Sequence, residues 1–170
     1  MNRLRKIFFC FSASFLLAQL SESVVFADES DSPLKAGNRY VQTQILSDRS
    51  VFQPGDENDT PVARIGVRFD IEPGWHIYWQ NSGEAAIPTK VKWILPEGWR
   101  ASELRWPAPM RFLEKGNITT FGYDREVVLI SDLYSSSVIP SNDEPIRIGA
   151  QAKWLVCKDI CVPGERTTQA

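Results

Sequence analysis

Ile65, Val67, Phe69 and Ile71 alternate with Arg64, Gly66, Arg68 and Asp70. A period of two puts successive side chains on opposite faces of an extended strand, so residues 62–71 read as a strand with one buried and one wet face. Ile146, Ile148, Ala150, Ala152 and Trp154 alternate in the same way with Arg147, Gly149, Gln151 and Lys153. Two such strands need facing apolar layers, and the rest of the chain supplies short extended runs to build them. Residues 40–46, 75–79, 89–95, 104–106, 118–121 and 126–130 are further strand candidates. Between them lie Pro73-Gly74, Pro96-Glu97-Gly98, Pro107-Ala108-Pro109 and Gly122-Tyr123-Asp124 as turn signals. Segments 51–61, 81–88 and 135–142 read as loops, and 111–117 as irregular chain. No amphipathic helix is evident after the amino terminus. Many short strands separated by turns predict an all-β fold, a β-sandwich. The 11 prolines and 10 glycines fit that better than a helical fold, and the 6 tryptophans read mainly as core packing.

The amino terminus sets the expected compartment. Arg3, Arg5 and Lys6 precede an apolar run over 7–17, broken only by Ser12 and Ser14, and Val25-Phe26-Ala27 offers small residues at the −3 and −1 positions. This order reads as a cleavable secretory signal peptide over 1–27, and the run is short of the roughly 20 apolar residues of a membrane helix. Cys10 leaves with it. A polar lead-in over 28–38 then precedes one domain over 39–170. The mature chain is mildly acidic without a basic block, which excludes a nucleic-acid reading, and no later run could insert in a membrane. Export places the domain where a disulfide persists.

Two cysteines remain, in Trp154-Leu155-Val156-Cys157-Lys158-Asp159-Ile160-Cys161-Val162-Pro163. Residues four apart on a straight strand lie about 13 Å apart, whereas a disulfide needs Cα atoms within about 7 Å. A bond therefore requires a turn-back, either a three-residue hairpin loop or one helical turn. So small a loop restrains the unfolded chain weakly, which favours a bond that opens and closes over a staple. Lys158 favours a neighbouring thiolate and Asp159 opposes it. Three readings stand: redox exchange, a structural disulfide, and a soft-metal site for Cu(I). The last lacks a nearby histidine and has only Met110 as a mature methionine; zinc lacks two of its usual four ligands. His76, the single histidine, reads as a packed or hydrogen-bonded strand residue among Trp75, Tyr78 and Trp79, and Glu84, Glu114 and Glu126 show no acid–base pairing.

Gly74-Trp75-His76-Ile77-Tyr78-Trp79-Gln80-Asn81, Gly83, Pro88-Thr89, Leu95-Pro96-Glu97-Gly98, Trp106-Pro107-Ala108-Pro109 and the cysteine segment resemble, in that order, the amino-terminal periplasmic domain of DsbD-type thiol:disulfide interchange proteins. The nearest flavour is the ScsB-like branch, linked to copper tolerance, and the likeness covers roughly residues 40 to 165. It implies an immunoglobulin-like β-sandwich in the periplasm, with Cys157 and Cys161 as the catalytic pair and no cofactor. A thioredoxin-like domain would donate electrons, and periplasmic disulfide-bearing proteins would accept them. A loop with an aromatic residue shields the cysteines in that family; Phe112, within 107–116, is the nearest match. Two departures bear on the expectation. The best-known members space the cysteines more widely. The chain also stops soon after Pro163, where members continue into a closing strand, a membrane domain and a thioredoxin-like domain. The expectation is a stand-alone or truncated domain, and a truncated one would lack an edge strand.

Overall fold

The computed structural model describes residues 32–52, 60–84, 86–135 and 145–170. The signal-peptide reading, most of the first proline-rich loop and nearly all of the Ser-rich loop fall outside them. The chain folds as an immunoglobulin-like β-sandwich of two antiparallel sheets. One sheet runs β1 (Val41–Ser47), β2 (Ala63–Ile71), β8 (Glu126–Ser135), β5 (Trp99–Ala101). The other runs β10 (Cys161–Gln169), β9 (Gly149–Cys157), β3 (His76–Gly83), β7 (Ile118–Tyr123), β6 (Met110–Glu114), with β4 (Lys90–Ile94) also paired to β9.

The alternating runs become the facing layers. Val67, Phe69 and Ile71 of β2 are buried and meet Ala150, Ala152, Trp154 and Val156 of β9, while the buried Ile65 joins Ile148 and Leu133 in a second cluster. Phe69 packs edge-on against Trp154, with ring centroids 5.9 Å apart. Burying one such large apolar side chain stabilises by about 1.5–3 kcal/mol. Every tryptophan packs against one of the two apolar clusters, as the core reading expected.

Several segments differ from the sequence reading: residues 104–106 form only an isolated bridge from Arg105 to Ile130, while 99–101 form β5 and 81–83 extend β3. Residues 110–114 are not irregular: they form β6, which pairs with β7 through the turn at 115–117. Gly116 and Asn117 both take positive φ there, 85° and 62°, a conformation that glycine and asparagine tolerate best. Residues 161–169, to which the sequence reading gave no strand, form β10, which pairs with β9 along its whole length and supplies an edge strand. Part of the polar lead-in, Pro33–Arg39, forms a 3-10 helix against β10. There the Asn38 side chain donates to the Glu165 carbonyl at 2.8 Å and accepts from the Glu165 N–H at 2.9 Å, covering backbone groups that an edge strand leaves open.

Candidate functional site

β9 and β10 form a hairpin whose loop is Lys158-Asp159-Ile160. The Lys158 N–H donates to the Ile160 carbonyl at 3.1 Å and closes the turn. This puts Cys157 and Cys161 directly opposite each other, with Cα atoms 4.1 Å apart, and they form a disulfide. Of the two turn-backs that the spacing allowed, the chain takes the three-residue hairpin loop.

The next neighbours follow from register. On the other side of β9, His76 is the partner of Cys157. Val156 and Ile77 point into the core, so the intervening side chains Cys157, Cys161, His76 and Tyr78 share the outer face of the sheet. That face is nevertheless closed at its centre. His76, Tyr78, Thr120 and Cys157 are all buried, because Phe112 of β6 stacks on the His76 ring at 4.4 Å and 14°. The two cysteines are unequal: Cys157 is 1% exposed, while Cys161 is an exposed residue.

A polar cluster lies under the Phe112 ring. The Glu114 Oε1 is 2.9 Å from the His76 Nε2 and accepts from the Thr120 hydroxyl at 3.0 Å and from the Tyr78 hydroxyl at 3.5 Å. The Tyr78 hydroxyl is also 3.2 Å from the His76 Nε2 and 4.0 Å from the Cys161 Sγ. Glu114 therefore does have a pairing partner, contrary to the sequence reading, while His76 is the hydrogen-bonded strand residue that was expected. Lys158 lies alongside Gly74, and Asp159 pairs with Lys115 at 3.9 Å, so the two charges between the cysteines each have a neighbour of their own. Among the described residues no group of three or more His, Cys, Asp or Glu could hold a metal ion.

Burial holds the His76 imidazole below its usual 6.5, outweighing the Glu114 carboxylate, which pulls it up. Burial and then the Glu114 charge push the Tyr78 phenol well above its usual range. A histidine with a depressed value in the fold binds its proton more readily when unfolded. Its contribution to stability is therefore intact above 6.5 and is lost as the pH falls from there toward the depressed value. The melting temperature should drop over that window, and in His76→Gln that part of the drop should vanish; an unchanged slope would refute the assignment.

The family model described as "Thiol:disulfide interchange protein DsbD, N-terminal" matches residues 42–170. Comparison with curated proteins found no match. Among solved structures, the N-terminal periplasmic domain of ScsB from Proteus mirabilis is 23% identical, with a TM-score of 0.54, over 76% of this chain and 45% of that one. The chain thus spans less than half the length of that relative. The Neisseria meningitidis DsbD n-terminal domain in the reduced form is 12% identical, with a TM-score of 0.43, over 84% of this chain and 93% of that one. The ScsB likeness is one of fold, whereas the family model takes in β2 to β10 and both cysteines, and the chain belongs to the family of DsbD N-terminal domains.

Proposed function

We propose that this chain is an exported, periplasmic thiol–disulfide exchange domain that relays reducing equivalents through Cys157 and Cys161. The observation that carries the reading is the disulfide itself: it closes a three-residue hairpin loop and leaves one sulfur buried and the other open. A bond across so short a loop adds little as a staple, because restraint of the unfolded chain grows with loop length.

The unequal burial assigns roles. A donor thiolate attacks the Cys161 Sγ, the Cys157–Cys161 bond breaks, and the electron pair leaves on Cys157. The donor's second thiol then displaces Cys161, leaving a dithiol here and a disulfide on the donor. In the delivering half, the Cys161 thiolate attacks an acceptor disulfide and Cys157 resolves the mixed disulfide, which releases the acceptor as a dithiol. A thioredoxin-like domain suits the donor role, and periplasmic disulfide-bearing proteins suit the acceptor role. Phe112 acts as the shield of the pair, since its ring closes the face on which Cys157 is buried. Exposed Met110, Leu113 and Ile160, on the two hairpins of the site, offer apolar contact to a docking partner.

Incubation of the oxidised domain with a reduced thioredoxin-like protein tests the reading. Rapid reduction, with an equilibrium potential above about −300 mV, is expected. A bond that the partner leaves untouched, at a potential well below that value, would mark an inert disulfide and overturn the proposal.

A further inference from the structure

A carboxylate and an imidazole on the outer face of a sheet are an expensive way to pack Phe112, because burying polar groups costs free energy that apolar neighbours would not. Their arrangement has a direction, however. The Glu114 carboxylate meets both the His76 Nε2 and the Tyr78 hydroxyl, and that hydroxyl is the group that reaches the Cys161 sulfur. Exchange at neutral pH needs the thiolate, whereas an ordinary cysteine is mostly protonated there.

We propose that the Tyr78 hydroxyl, backed by the His76–Glu114 pair, takes the proton of Cys161 when that thiol becomes the attacking thiolate. This inference rests on the exchange reading and names the groups that would serve it. The S–H bond of Cys161 breaks and its proton passes to the Tyr78 oxygen. The Tyr78 proton passes on to the Glu114 carboxylate, which the His76 Nε2 holds in place, and the electron pair stays on the Cys161 Sγ. Nothing is oxidised in this step. The thiolate then attacks the partner disulfide, and the same path returns the proton when Cys161 is next released as a thiolate. Tyr78 is the catalytic group, because it touches the reacting sulfur; His76 and Glu114 act through it and position it.

The titratable and charged groups around His76 are few. Tyr78 faces it from β3, Glu114 from β6, Asp124 from the turn between β7 and β8, and Cys157 from β9, with Cys161 beyond the Tyr78 hydroxyl. Lys115 and Asp159 pair with each other at the rim, both largely exposed. Burial holds the imidazole below its usual 6.5, so it is neutral at neutral pH and the Glu114 carboxylate is the group that receives the proton. The raised phenol keeps its own proton except in transit, as a relay requires.

The test uses the whole reduced protein with oxidised thioredoxin as the probe. It follows the exchange rate against pH and, separately, the ultraviolet absorbance of the thiolate. Tyr78→Phe, which keeps the ring, should slow exchange about tenfold at neutral pH and shift the thiolate titration upward. The loss is modest for a proton-transfer group, since a thiol ionises partly unaided. Glu114→Gln should also slow exchange about tenfold, yet its thiolate should titrate no higher than in the wild type, because a negative neighbour is gone. A merely structural role predicts instead that the rate follows the thiolate fraction in every variant. That result, or wild-type rates for Tyr78→Phe across the pH range, overturns the relay. Should Glu114→Gln fail to fold, Tyr78→Phe decides by whether its rate falls further than its thiolate fraction does. Exchange by the wild type with unaltered variants sinks only the relay, whereas no exchange by the wild type sinks the relay and the exchange reading together.

Discussion

Cys157→Ser will capture disulfide-bearing partners as stable mixed disulfides, and Cys161→Ser will not. The two cysteines differ by four positions in sequence but by their surroundings in the fold. Cys161 opens the edge strand β10 and faces solvent, whereas Cys157 ends the interior strand β9 with His76 on one side and Cys161 on the other. With Cys157 removed, the open sulfur remains and can attack, and the resolving thiol is missing, so the intermediate persists. With Cys161 removed, the remaining sulfur is 1% exposed. Its reaction then waits for a local opening. Even an opening of about 3 kcal/mol, modest for a packed strand, lowers the reactive population more than about a hundredfold. Non-reducing gel shifts with a thioredoxin-like partner read the difference directly. Equal trapping by both variants, or trapping by Cys161→Ser alone, would contradict the assignment of roles.

The sequence made the sandwich legible where strands are half-buried in the ordinary sense. β2 and β9 alternate because one face meets the core and the other meets water, and both were found almost to their ends. The cysteine pair and its turn-back were legible for a geometric reason, since spacing alone bounds the distance. β6 escaped because its inward side chains answer to the site and not to the core. Phe112 and Glu114 share a face that closes over His76, while Leu113 points to water, so the run Met-Arg-Phe-Leu-Glu carries no apolar period. A usable signal was nonetheless present: Gly116-Asn117 is a pair suited to positive φ, and it sits between two short runs that could pair as a hairpin. The His76–Glu114 contact had no such signal. Tyr78 and Glu114, its near neighbours, are 36 positions apart, and only the pairing of β3 with β7 and of β7 with β6 brings them together. β10 was missed because an edge strand with Pro163, Gly164 and a polar remainder reads as a stop. Proline is tolerated there since one side of an edge strand needs no partner.

That dependence on β7 locates the most vulnerable backbone position of the site. Gly122→Ala will both destabilise the domain and unmask Cys157. Gly122 pairs with Tyr78 on one side and Met110 on the other, so it is the link between the strand that carries His76 and the strand that carries Phe112 and Glu114. A methyl group there would run into the Ile77 carbonyl oxygen and lie 3.1 Å from the Tyr78 Cα. Both are backbone atoms and cannot swing aside as a side chain end would. The strands must part, and the β6–β7 hairpin moves away from β3. Overpacking of this kind costs about 3 kcal/mol or more when backbone has to shift, a large share of the 5–15 kcal/mol that holds a typical domain. Denaturant unfolding should show that loss. Alkylation of Cys157 in the reduced Cys161→Ser background, followed well below the melting temperature, should quicken by at least about tenfold, because the Phe112 ring and the Glu114 carboxylate no longer close the face over Cys157. The two readouts separate a general loss from a local one: Phe69→Ala, in the core at 0% exposure, should lose a similar 3–5 kcal/mol or so while leaving the hairpin seated. If Gly122→Ala leaves Cys157 as slow to alkylate as it is without the change, the β6–β7 hairpin is not what covers it.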